Sequence, residues 1–299
     1  MAFNWSTFKT RSLTALVFVV IMLTGLLWNH WSFFVLFTII HFGCWWEYFK
    51  LTEKIHHTSF HIYTKMGMML AGFGILLWLS GPAYHFNQYS FKDNFSMPVS
   101  AAGFILMIIG VLRGDAVNVK GYGMAGMGIL YISLSWGIMI DLNGIILTRK
   151  IHDNHLNDVV ISAVAVFPSV IIFTIWINDT MAYIVGSFIG KTALSVISPK
   201  KTWEGTIGGV LLAVTLMAVL IFKVFEFAEA ADWYHWLLIP AIAAIAGTFG
   251  DLLESKLKRM AGVKDSGSLM PGHGGFLDRF DSLLLATPAV WVYVRVFMQ

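Results

Sequence analysis

Residues Asp251–Ser282 read DLLESKLKRMAGVKDSGSLMPGHGGFLDRFDS, a charged island in an otherwise oily chain. Acids Asp251, Glu254, Asp265, Asp278 and Asp281 alternate with bases Lys256, Lys258, Arg259, Lys264 and Arg279, which puts 10 of the 37 charged residues into 32 positions. Apolar runs flank the island on both sides, so it is expected to hang between two membrane spans. Charges at such a boundary are costly unless they pair, bind ions or face water, which makes a functional site the default expectation.

Local geometry sharpens this. From Trp236 to Ala261 nothing interrupts a helix except Pro240, in the first turn, where proline is tolerated. Those 26 residues reach about 39 Å at ~1.5 Å per residue, against a hydrocarbon core of roughly 30 Å. The last two turns are therefore expected in water, with Asp251, Ser255, Lys258 and Arg259 sharing a face by i, i+4, i+7/i+8 spacing. Gly262 supplies the helix stop. Lys264–Gly267 reads as a turn, and Pro271–Gly275 as a loop with accessible backbone N–H groups. Asp278 and Asp281 then lie at i, i+3 in the first turn of the last apolar helix.

Working outward, 57% of the 299 residues are hydrophobic and only 12% charged, where about 25% charged is usual in soluble domains. The fold class is all-α, a polytopic membrane protein. About nine spans fit the apolar runs: 12–28, 31–49, 64–80, 98–112, 124–147, 159–177, 205–222, 236–250 and 283–298. Lys9 and Arg11 before the first run resemble a signal-peptide start, but no small-x-small cleavage site follows, so an uncleaved first span is expected. With the N-terminus in the cytoplasm, 15 Lys and Arg fall on the cytoplasmic side and 5 on the other, as the positive-inside rule requires. The charged loops 178–205 and 251–282 then face the cytoplasm. Residues 1–158 read as transmembrane scaffold and 159–299 as the catalytic region. The single Cys44 excludes an internal disulfide, and no Cys/His cluster has zinc spacing. Gly186-x3-Gly190 and the run Gly121, Gly123, Gly126, Gly128 are expected to permit close helix packing.

The pattern Ser255-x-Leu257-Lys258-Arg259-x4-Lys264-Asp265-x-Gly267-x3-Pro271-x-His273-Gly274-Gly275-x2-Asp278-Arg279-x-Asp281 resembles the signature of phosphatidate cytidylyltransferases, also called CDP-diacylglycerol synthases. One departure, Met270 where a Leu, Ile or Phe is usual, is conservative in volume. The resemblance extends to Asp179–Thr180–x2–Tyr183 and to Ser198-Pro199-Lys200-Lys201-Thr202-x-Glu204-Gly205. It implies transfer of a cytidylyl group from CTP to phosphatidic acid in a bacterial cytoplasmic (inner) membrane. It also implies a two-cation centre, with Mg2+ and a second, monovalent cation such as K+, and a homodimer without nucleic-acid partners.

The residues suit that chemistry. Joining two polyanions needs positive charge and fixed geometry more than a nucleophile-activating device, because phosphoryl-type transfer is mostly positioning plus electrostatics. Asp251 and Asp278 are the leading metal ligands, with Asp281 a third; the alternative for Asp278 and Asp281 is helix capping. Lys258, Arg259, Lys264, Asp265, His273 and Arg279 are the candidate catalytic residues, with Lys264 and Arg279 suited to phosphate. Asp179, Lys200, Lys201, Ser255, Gly274 and Gly275 are the candidate binding residues, the glycines by letting backbone approach a ligand. Two other activities compete. A CTP-using kinase of isoprenoid alcohols would need a base for an alcohol nucleophile. A transporter would carry charges near mid-bilayer, and here Glu47 and Asp141 sit toward span ends.

Overall fold

The computed structural model describes residues 5–114, 117–145, 147–153, 156–163, 165–224, 233–267 and 274–298. Its helices are α1 (Trp5–Leu27), α2 (His30–His56), α3 (Ile62–Trp78), α4 (Ser96–Arg113), α5 (Val119–Gly128), α6 (Ser135–Asn143), α7 (Val166–Ile189), α8 (Trp203–Val224), α9 (His235–Met260) and α10 (Leu277–Phe297). A π-helical turn precedes α4, and another joins α5 to α6.

Among the described residues, seven helical stretches are long and apolar enough to cross a membrane, and Ser12–Leu27 and Ile62–Trp78 are shorter apolar helices. The expected first and third spans fall on these two shorter helices, the other seven on the long stretches. Membrane-length apolar helices dominate because a bilayer leaves every backbone polar group to be satisfied within its own segment.

Two small antiparallel hairpins interrupt the helices, one pairing β1 (His85–Phe86) with β2 (Tyr89–Ser90), the other β3 (Leu147–Asp153) with β4 (Leu156–Ala163). The second corrects the expected sixth span at 159–177. Val159, Val160 and Ile161 pair with Ile151, Lys150 and Arg149 as a strand. Short β-branched apolar runs fit a strand or a helix by hydropathy alone. The helix begins only at Val166 and runs on through Asn178 and Asp179 to Ile189. The first half of the expected loop 178–205 is therefore helix.

The chain forms two compact units, Met1–Ile140 with Glu254–Asp281, and Asp141–Leu253 with Ser282–Gln299. In the first unit α3 lies so close to α4 that a Cβ on Gly67 or Gly103 would strike the facing backbone. Trp45, Phe37, Phe49 and Trp136 are fully buried there, and Trp45 Nε1 donates to Ser133 Oγ at 2.8 Å. In the second unit α7 packs on α8 through small residues: Gly205 faces Gly186 and Ala182, and Gly209 faces Ala182 and Asn178. The expected close approach at Gly186 is thus present, whereas Gly123 and Gly126 open onto empty space. Asp141 pairs with Arg295 and accepts from Trp291 Nε1 at 2.6 Å.

Candidate active site

The second unit contains a polar cavity of about 550 Å³ whose lining includes Asp179, Ser198, Lys200, Lys201, Thr202 and Asp251. Asp179 comes from α7, Asp251 from α9, and the two lysines from the loop before α8. That loop is stitched in place by its own backbone. Leu194 N–H donates to Lys201 O at 2.7 Å and Trp203 N–H to Thr192 O at 2.9 Å. Glu204, in the first turn of α8, accepts the Lys191 and Thr192 N–H groups at 3.1 and 3.2 Å. Glu204 stands in the quoted motif without an assigned role, and its role here is to shape the lysine-bearing loop. Lys201 and Asp251 form an ion pair. An apolar cavity of about 450 Å³, lined by Trp203, Ile207, Leu211, Ile245, Phe249 and others, shares Thr206 and Thr248 with the polar one.

The second cluster is in the first unit, where the end of α9 and the start of α10 meet. Lys258 Nζ donates to Asp278 Oδ1 at 2.7 Å and pairs with Glu254 one turn earlier. Asp278 Oδ2 accepts from Ser266 N–H, Ser266 Oγ and Gly275 N–H, each at 2.9 Å. Ser266 Oγ also lies 2.7 Å from Glu47 Oε2, so its single proton is shared between two carboxylates. Glu47 Oε1 accepts Phe276 N–H at 3.0 Å, and Oε2 accepts Leu277 N–H at 2.9 Å. These are the first orphan N–H groups of α10, which favour a negative partner.

Glu254 is fully buried, and its side chain faces Lys258 without hydrogen-bond geometry to either oxygen. A buried carboxylate with one ionic partner has room in its electrostatic balance for a cation. Among the described residues no three His, Cys, Asp or Glu side chains converge. Magnesium, which completes its shell with water and substrate phosphates, needs only one or two. The residues therefore fit a magnesium ion held jointly with substrate.

The α9 helix spans His235–Met260, as its pattern predicts, and ends in a Schellman cap. Gly262, at φ +66°, donates to Arg259 O at 3.1 Å, and Val263 N–H to Lys258 O at 2.9 Å. Its last turns do not form the expected solvated face. Ser255 is buried, and the Lys258 side chain is only 12% exposed, because two carboxylates neutralise it within the protein. Arg259, Lys264, Asp265 and Arg279 are exposed, and Arg259 Nη1 donates to Val263 O at 3.3 Å. His273 lies outside the described residues.

Asp278 binds back to the Gly275 N–H in the manner of a cap. Asp281 is buried in the second turn of α10, past the N–H groups a cap serves. Gly274 and Gly275 were expected to make room for a ligand. They make room for the protein's own carboxylates: a Cβ on Gly275 would collide with Glu47, and one on Gly274 would lie 2.7 Å from Asp278 Oδ2.

Glu47 is the residue that sequence reasoning missed. It lies on α2, two turns before that helix ends, and is 5% exposed. The available signal was an acid within the apolar run Trp45-Trp46-Glu47-Tyr48, since an ionisable group at membrane depth is a functional candidate by default.

The fold and these two clusters define a polytopic membrane protein with paired acids and bases at the ends of its apolar helices. The chain belongs to the cytidylyltransferase family, whose model matches residues 9–297. It is 47% identical over 115 residues to a phosphatidate cytidylyltransferase of Staphylococcus saprophyticus, covering 38% of this chain and 43% of that protein. A phosphatidate cytidylyltransferase of Synechocystis is 44% identical over 131 residues (42% and 41%), and one of Bacillus subtilis 42% over 126 (41% and 45%). The aligned stretches thus span less than half the length of these relatives.

Proposed function

We propose that the protein transfers the cytidylyl group of CTP to phosphatidic acid, giving CDP-diacylglycerol and pyrophosphate. The observation that carries this is the polar cavity with Lys200, Lys201, Asp179 and Asp251, which neighbours an apolar one and shares Thr206 and Thr248 with it. A phosphate headgroup on an acyl chain has that same division. Family membership and the names of the relatives support the choice of nucleotide and lipid.

In this reaction a phosphate oxygen of the lipid bonds to the α-phosphorus of CTP, and the bond from that phosphorus to the bridging β-phosphate oxygen breaks. The nucleophile is already anionic, so the protein's work is to bring two polyanions together. Lys200 and Lys201 supply counter-charge in the polar cavity; Lys264 and Arg279 supply it at the turn and on α10. Mg2+, with K+ as a second cation, would be held within the separate clusters, by Asp278, Asp281 and Glu254 in the first unit or by Asp251 in the second. When bound, it neutralises phosphate charge and orients the leaving group. The proposal includes a homodimer in the bacterial inner membrane, as the family resemblance implies.

The test is to supply purified protein with magnesium, phosphatidic acid and CTP labelled in the cytosine ring. Label should enter the lipid as pyrophosphate is released. Label left in CDP while the lipid gains phosphate would assign a kinase instead. In the same assay Lys201→Ala should raise the KM for CTP about 10- to 150-fold, the value of one charge-assisted hydrogen bond of roughly 1.5–3 kcal/mol. An unchanged KM would reduce Lys201 to a partner of Asp251.

Orientation is part of the proposal, supported by the 15 to 5 division of lysine and arginine. Cys44 is buried, and Cys44→Ala gives a background free of cysteine. Asp265→Cys, at an exposed site, should then react only from the cytoplasmic side, and Asn94→Cys only from the other. Labelling of Asp265→Cys from outside intact cells would leave CTP without access and overturn the orientation.

A further inference from the structure

Glu47 belongs to α2, far in sequence from both charged motifs, yet its carboxylate holds the two flanks of the motif turn together. On one side it receives Ser266 Oγ; on the other it receives the N–H groups of Phe276 and Leu277. Ser266 passes the connection on to Asp278 Oδ2, whose other oxygen holds Lys258. Two motif glycines owe their place to this carboxylate, since a Cβ on either Gly267 or Gly275 would collide with it.

A carboxylate buried in this way carries a desolvation cost, and its attraction to the α10 N–H groups offsets that cost. Hydrophobic packing would close the same gap without charge. What a carboxylate adds is direction, because both oxygens and three donors must align at once.

We infer that Glu47 is a positioning residue for the transfer reaction, acting through Ser266 and the start of α10 to fix where Asp278 and Lys258 sit. The inference rests on the function proposed above. It assigns a role in the reaction to a helix outside the charged motifs.

The experiment compares full-length wild type with Glu47→Gln, Glu47→Ala, Gly275→Ala and the double variant Glu47→Ala/Gly275→Ala, all in detergent. Glutamine is nearly isosteric but offers one acceptor oxygen, so it can satisfy only part of the donor set. Glu47→Gln should melt with wild type and keep its KM for CTP, because the polar cavity is untouched. Its kcat should fall roughly 10- to 150-fold, the equivalent of one charge-assisted hydrogen bond. Gly275→Ala should be as damaging alone, yet add little in the Glu47→Ala background, where the group it strikes is gone. Such non-additivity marks direct coupling.

Tryptic cleavage after Lys264, which is exposed, should quicken in Glu47→Gln. This readout needs no turnover, so it tests the clamp even if wild type fails to make CDP-diacylglycerol and the proposed function falls. A Glu47→Gln protein with wild-type kcat would overturn the inference. So would a loss of kcat matched by an equal loss of folded protein, additive effects in the double variant, or unchanged cleavage after Lys264.

Discussion

Asp278→Asn should lower kcat by roughly 10³-fold or more while leaving insertion and purification intact. The geometry says why the fold survives. Asparagine can keep its oxygen toward Ser266 and Gly275, which hold Oδ2 at 2.9 Å. Its amide nitrogen then takes the place of Oδ1, where Lys258 now donates at 2.7 Å. Donor meets donor, and a cation that draws on this carboxylate loses a ligand. A magnesium ion held by this carboxylate would supply several kcal/mol of charge stabilisation to the transferring phosphate, and each ~1.36 kcal/mol is a decade in rate. The measurement is kcat across a magnesium titration. Activity within about tenfold of wild type, with the same magnesium dependence, would leave Asp278 a helix cap and remove it from the metal set.

Lys258→Met should cost stability before it costs catalysis. Lys258 is the basic partner of both Glu254, fully buried, and Asp278, nearly so. Removing one partner of a buried pair leaves an uncompensated charge, a loss of about 3–5 kcal/mol. Methionine matches the length of the aliphatic stem, so packing is largely kept and the charge is what changes. Adding Glu254→Gln should recover part of the loss, because it removes the charge that Lys258 had neutralised. Thermal unfolding in detergent reads both effects. If Lys258→Met melts with wild type, or Glu254→Gln brings no recovery, the ion pair contributes nothing to the fold.

Much of the membrane architecture was legible because hydropathy and helix length are local properties. The α9 helix follows from an apolar run broken only by Pro240 and stopped by Gly262, and its Schellman cap is the geometry a glycine there permits. The sixth span was misjudged for an equally local reason. Val159–Val160–Ile161 is apolar, but its backbone pairs with β3, and Asp179 does not end α7 because the apolar pattern resumes at Met181.

The candidate site divides in the same way. Charge beside apolar spans singled out Asp251, Lys258 and Asp278, and the family resemblance added Lys200 and Lys201. Neither could say that Ser255 is buried, that Glu254 and Asp278 both face Lys258, or that Gly275 lies against the Glu47 carboxylate. Those facts depend on which helices pack together.

Glu47 is the sharpest case: its hydrogen bonds to Ser266 and Leu277 join residues 219 and 230 positions apart. The sequence by itself determined most of the apolar helices and where charge gathers. Tertiary structure decided which charges neutralise one another, because ion pairing depends on distance through space and only packing sets that distance.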